Sequence, residues 1–342
     1  MSTSVFAGYS EVKTPYALDW EKEKCRSKEY REYRRKWVEL PRTLTVPPFP
    51  LHLDVESSSM CNLRCPMCPR TIYVKRGMWR YNGNISAPLF RKIIDEGIAK
   101  GLYAVNLNND GEPLLHPNIV EMVRYAKNAG ILDVFFHTNA TLLTPKLAED
   151  LIKAGLDRIV ISFDMPDRER YETIRAGAKY GQVIENMRSL KQIRDRRAAP
   201  LLIRVNMVKF PYLTQRDVEE MMRLDVADSI GLLDLVEYPE VAPQTSFNAG
   251  YQSKFICPQP LTRLKVFSDG TTAPCCEDNL GEMELGNVAE KTLEEMWNCE
   301  KIRNLRKLHC AGFFYKIPLC RACDWALKED KRLEIREATA LG

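Results

Sequence analysis

The sequence predicts an α/β fold: a parallel sheet of six strand–helix units, with a charged helical extension before it and a small cysteine-bearing unit after it. Three observations carry this. From Leu51 onward, short β-rich runs alternate with amphipathic helical stretches, the pattern of βα units around a parallel sheet. The chain has 342 residues and is 45% hydrophobic, enough for one large domain and a small one with a full core. The segment Pro47-Pro48-Phe49-Pro50 breaks any helix and separates the N-terminal stretch from the alternating region.

In chain order, 18–40 reads as a helix dense in Lys, Arg and Glu, with Trp20, Tyr30, Tyr33 and Trp37 spaced to form a packing stripe, so it is expected to brace the domain behind it. Strands follow at 51–56, 103–108, 134–138, 158–163, 202–208 and 232–237. Helices fall at 87–100, 117–129, 145–154, 181–197 and 214–224, with a short one at 168–175. Beyond them, 261–267 and 271–274 flank Ser268-Asp269-Gly270 as a hairpin, and 292–308 reads as a helix. The expected units are 1–49, 50–245 and 246–342.

After the first strand stands Cys61-Asn62-Leu63-Arg64-Cys65-Pro66-Met67-Cys68, three thiols with no fourth cysteine nearby. Disulfides are a poor reading, because eleven cysteines are an odd number and no secretory signal opens the chain. Structural zinc wants four protein ligands, whereas three thiolates leave one iron of a 4Fe-4S cluster open to a small molecule. This CxxxCxxC loop, with Met67 before its last cysteine, resembles the signature of the radical S-adenosylmethionine (SAM) enzymes. The resemblance runs from about Pro50 to Trp325 and implies an open (βα)6 partial TIM barrel. It also implies that Cys61, Cys65 and Cys68 hold a 4Fe-4S cluster whose free iron binds SAM, which the reduced cluster cleaves to methionine and a 5'-deoxyadenosyl radical. An external electron donor such as flavodoxin or ferredoxin is then required.

Further matches lie at other strand ends, where parallel α/β sheets place their ligands. Asn109-Asp110-Gly111-Glu112-Pro113 resembles the family's GGEP motif for the SAM amino group, with Asp110 in place of the first glycine. Gly111 would let the backbone approach the ligand, and Glu112 would pair with an ammonium. Ser162 and Arg175 look like family positions near the SAM ribose or carboxylate, and Asn139 is a candidate on the same rim. Arg204, midway along the fifth strand, is a charge that would face the barrel interior and need an anionic partner.

A second set, Cys257, Cys275, Cys320 and Cys323, resembles the spacing of the twitch domain, the short form of the SPASM extension. It implies a small α+β domain with an auxiliary 4Fe-4S cluster closed by four thiolates, with zinc as the other chemistry open to such a quartet. Cys276 could replace Cys275 as ligand, and Cys25, Cys299 and Cys310 remain over. The likeness to twitch dehydrogenases implies oxidation of a secondary alcohol on a small polar substrate such as a sugar or aminocyclitol, with the auxiliary cluster taking an electron. Glu237, Tyr238 and Glu240, after the sixth strand, are candidates for proton transfer or hydroxyl binding. An epimerase would instead need a thiol hydrogen donor such as Cys276 or Cys310. Peptide maturation is a further alternative, although about fifty residues before the barrel are few for a peptide-recognition module. A non-catalytic electron carrier would have no use for SAM-like motifs on three strand ends.

A net charge of +4, with basic and acidic residues interspersed, does not indicate a nucleic-acid partner. No run of eighteen apolar residues is present, so no membrane partner is expected and the cytoplasm is the expected compartment.

Overall fold

The structure, a computed structural model, describes residues 9–13, 27–236 and 251–340. Within them runs one ten-stranded sheet whose strands lie in the order Tyr9–Lys13, Ser229–Asp234, Leu202–Lys209, Arg158–Ser162, Asp133–Thr138, Ala104–Asn106, His52–Val55, Arg263–Val266, Thr271–Ala273 and Gly286–Asn287. Six strands form the expected parallel series: β2 (His52–Val55), β3 (Ala104–Asn106), β4 (Asp133–Thr138), β5 (Arg158–Ser162), β6 (Leu202–Lys209) and β7 (Ser229–Asp234). Helices Ala87–Ala99, Ile119–Ala129, Pro145–Ala154, Tyr180–Arg196 and Gln215–Arg223 connect them. Their starts follow local chemistry, since Ser86 and Thr144 accept from Leu89 and Leu147 N–H ahead of a proline in the first turn.

Alternation along each strand sorts the side chains. On one side, Val55, Phe136, Ile159, Ile161, Ile203 and Val205 are fully buried in the main hydrophobic core, which the connecting helices share. The opposite face is polar. There Asp54 accepts from His52 Nε2 at 3.0 Å, Asn106 Nδ2 at 2.8 Å and Arg263 Nη1 at 3.2 Å. Burial opposes its ionisation, yet the His52 and Arg263 charges hold its carboxyl well below the usual range.

Three features differ from expectation. An additional strand, β1 (Tyr9–Lys13), pairs antiparallel with β7. The C-terminal hairpin, β8 (Arg263–Val266) and β9 (Thr271–Ala273), forms as predicted, but β8 pairs in parallel with the whole of β2 and extends the same sheet, with β10 (Gly286–Asn287) following. The helix expected over 292–308 is two, Leu293–Trp297 and Glu300–Cys310, because Cys299 adopts extended backbone at ψ 163° between them. Trp297 anchors the break, fully buried with its Nε1 donating to Pro47 O at 2.8 Å.

The N-terminal brace is the helix Lys28–Arg42, and the first part of its predicted span, with Trp20 and Cys25, lies outside the described residues. Tyr30, Tyr33 and Trp37 form its buried stripe. Tyr33 stacks on Tyr103 at 5.5 Å, Trp37 meets His52 edge-on at 5.5 Å, and the Arg263 guanidinium lies 4.7 Å from the Trp37 ring. These contacts sit where β2, β3 and β8 begin, so the helix closes the amino end of the sheet while the three-cysteine loop leaves from the carboxyl end of β2.

Candidate functional site: two thiol-lined cavities

The first cavity, about 370 Å³, opens at the carboxyl ends of the strands. Cys61, Cys65 and Cys68 line it together with Gly111, Glu112, Asn139, Ser162 and Arg175. Sequence positions spread over more than a hundred residues thus meet at one place. Met67 instead packs against the core, and Pro113 is the buried start of the short turn Pro113–Leu115. Arg204 pairs with Val160 and Ser229 in the sheet, below the described lining residues. None of these three is among the described residues that line this cavity. The candidates Glu237, Tyr238 and Glu240 lie outside the described residues.

Glu112 is 2% exposed and fastened on three sides. Its Oε1 accepts from Thr138 Oγ1 at 2.6 Å and Leu114 N at 3.1 Å, and its Oε2 from Asn139 N at 2.8 Å. Burial outweighs those donors and pushes the carboxyl up to about 7. Such a desolvated carboxylate is suited to an incoming ammonium. Asn139 fixes the cluster loop, with Nδ2 donating to Asn62 Oδ1 at 3.0 Å and standing 4.0 Å from Cys61 Sγ. Arg175 is aimed by Asp164, whose Oδ2 accepts from Nε at 2.6 Å, and its guanidinium also reaches the Cys65 thiol.

Gly111, which lines the cavity, also has a packing reason. A Cβ there would come 1.9 Å from Ser58 O and 2.8 Å from Met60 O, so the close approach is to the backbone that leads into the cysteine loop. Asp110, in the place of the motif's first glycine, forms a buried ion pair with Lys265 at 2.7 Å, the two side chains being 4% and 0% exposed. Lys265 Nζ also donates to Asp278 O at 3.0 Å, which ties this motif to the loop after β9. Burial, then the Asp110 charge, push neighbouring Glu56 up to about 7.

The second cavity, about 230 Å³, is lined by Cys257, Cys275, Cys320 and Cys323. The four predicted thiols therefore face one space, and four sulfurs converging there suit the closed donor set of an auxiliary cluster. Burial, followed by the charges around them, pushes Cys320 and Cys323 up to about 12, so ligation must displace protons. Cys276 lines the first cavity instead. Cys310 ends the helix Glu300–Cys310 and lines neither cavity among the described residues.

Sequence reasoning missed Lys265, His137 and His309. His137, on the polar face, lines the first cavity, and burial followed by the Arg158 charge lowers its imidazole to about 4. His309 lines the second, its Nε2 3.4 Å from Cys320 Sγ. The available signal was a lysine inside an apolar strand and histidines near strand and helix ends; the lysine gains meaning only once β8 is set beside β2, and the histidines once the two cavities are formed.

Residues 55–224 match the family model of the radical SAM superfamily, and 257–324 that of an iron–sulfur cluster-binding domain of the SPASM type. The chain belongs to the radical SAM enzymes and carries a SPASM-type auxiliary-cluster domain. Its cofactors are accordingly SAM and 4Fe-4S clusters. It is 24% identical over 318 residues to a tungsten-containing aldehyde ferredoxin oxidoreductase cofactor-modifying protein of Pyrococcus furiosus, covering 80% of this chain and 86% of that one. It is 23% identical over 282 residues to an S-adenosyl-L-methionine-dependent 2-deoxy-scyllo-inosamine dehydrogenase of Niallia circulans, covering 80% and 92%. The crystal structure of BtrN in complex with AdoMet and 2-DOIA has the same fold, with a TM-score of 0.53 at 20% identity, covering 80% and 92%. No described helix is long and apolar enough to cross a membrane.

Proposed function

We propose that the enzyme oxidises a secondary alcohol of a small polar substrate, a sugar or aminocyclitol, at the first cavity. The observation that carries this is the placement of two adjacent residues: Cys276 lines the first cavity and Cys275 the second. A single peptide unit separates the site of hydrogen abstraction from the four-thiol site, a short path for an electron.

When bound, SAM and the clusters supply a hydrogen-abstracting radical and a one-electron acceptor. The chain's own residues do the rest. Cys61, Cys65 and Cys68 would hold the SAM cluster, and Cys257, Cys275, Cys320 and Cys323 the auxiliary one. Glu112 and Arg175 would bind the ammonium and carboxylate of SAM and orient it. Oxidation to the ketone removes one hydrogen atom, one proton and one electron from the substrate. His137, kept neutral by burial, faces this cavity and can accept a hydrogen bond from the substrate hydroxyl, whose proton departs to water. The reductant is an external one-electron carrier of the flavodoxin or ferredoxin kind.

Cys276 also favours a second reading, epimerisation, since a thiol in the first cavity can return a hydrogen atom to a substrate radical. The test uses reduced enzyme, SAM and 2-deoxy-scyllo-inosamine in deuterated water. The oxidation reading expects 5'-deoxyadenosine and a product lighter by two hydrogens. A product of unchanged skeleton carrying one solvent deuterium at the reacting carbon, lost in Cys276→Ala, overturns it in favour of epimerisation.

A further inference from the structure

We propose that His309 sets the reduction potential of the auxiliary cluster by donating its Nε2–H to the Cys320 sulfur, which makes that cluster a better electron acceptor. His309 is the penultimate residue of the helix Glu300–Cys310 and is 1% exposed. Its Nε2 stands 3.4 Å from Cys320 Sγ, within reach of an N–H···S hydrogen bond. Its other ring nitrogen, Nδ1, is buried with no hydrogen-bond partner among the described residues, so nothing else draws the proton away from Nε2. A ligating sulfur carries no hydrogen of its own, so only the imidazole can donate across this contact.

The surroundings make that donor count. Glu277, Asp278, Glu282 and Asp324 line the same cavity, and no lysine or arginine does among the described residues. Arg306, one turn earlier on the helix, is turned away to Pro260 O and Trp297 O at 2.8 Å each. Four thiolates beside four acidic side chains disfavour an added electron. Hydrogen bonds to cluster sulfurs and the net charge around them set the potential, and His309 supplies the one side-chain donor described on Cys320. Phe314, buried against the same helix, holds the ring with its plane within 17° of its own.

The inference rests on the four-thiolate cluster of the proposed function, and its test separates the two. In a Cys61→Ala/Cys65→Ala/Cys68→Ala background, iron and sulfide are counted after anaerobic reconstitution, and the remaining cluster is titrated redox-potentiometrically by EPR. Next to it stand the same protein with His309→Phe, which keeps the ring's bulk without the N–H, and with His309→Gln, which keeps a donor. The expected result is unchanged iron in all three, a shift to more negative potential in His309→Phe and a return toward the parent in His309→Gln. An unchanged potential in His309→Phe, an equal shift in both variants, or loss of iron with the helix content intact overturns the tuning role. A parent protein that binds no iron overturns the auxiliary-cluster reading itself.

Discussion

Glu112 has a carboxylate held by three donors and still pushed up to about 7, because burial costs the charge more than those hydrogen bonds return. Its folded-state value lies above the ordinary 4.5. Its contribution to stability is therefore fully present below about 4.5 and is lost as pH rises through about 7. For ligand binding the sign reverses, since only the ionised form pairs with an ammonium. Equilibrium dialysis with labelled SAM is expected to show affinity falling as pH drops through about 7, and Glu112→Gln is expected to weaken binding roughly tenfold or more while flattening that dependence. Unchanged affinity in Glu112→Gln would remove the residue from SAM recognition. At this scale the sequence was informative where spacing alone carries chemistry, as for Cys61, Cys65, Cys68 and Glu112. It was silent on Lys265 and His309, whose roles depend on contacts with Asp110, 155 positions away, and with Cys320.

Elements explain the motif's departure from its family pattern. An aspartate at position 110 is tolerable because β8 brings a buried lysine to meet it, and that lysine exists at that place only because β8 lies in register with β2, Asp54 opposite Lys265. Asp110→Asn removes the hydrogen-bonded partner of a fully buried lysine and leaves Glu56 as the neighbouring carboxyl to balance its charge, so it is expected to destabilise the fold by about 1–3 kcal/mol. The double variant Asp110→Gly/Lys265→Met is expected to recover most of that loss in thermal unfolding, and failure to recover would show that the pair does more than neutralise itself. The helix Lys28–Arg42 was legible from its aromatic stripe, but what the stripe covers was not, because the polar amino end of the sheet has no sequence signature. Trp37→Ala is expected to lose about 3–5 kcal/mol in denaturant unfolding, as for other large buried aromatics. The divided helix after Thr292 was missed for a local reason: one extended residue, Cys299, interrupts a periodicity that otherwise continues across it.

At the scale of the molecule, two thiol-lined cavities meet at the Cys275–Cys276 peptide, the first built from strand-end loops and the second from the loop after β9 together with C-terminal helical segments. Replacing Cys61, Cys65 and Cys68 together by alanine is expected to remove about half of the iron and all 5'-deoxyadenosine formation while leaving the second site loaded. Retained SAM cleavage would refute the assignment of the first cavity. Seating β8 along β2 has one further result. A chain cut before residue 251 would leave β2, whose four residues are all buried, with an open flank of main-chain donors and acceptors beside the cysteine loop. Such a bared strand is a template for foreign strands, so the isolated barrel is expected to self-associate, visible as light scattering at concentrations where the full chain stays clear.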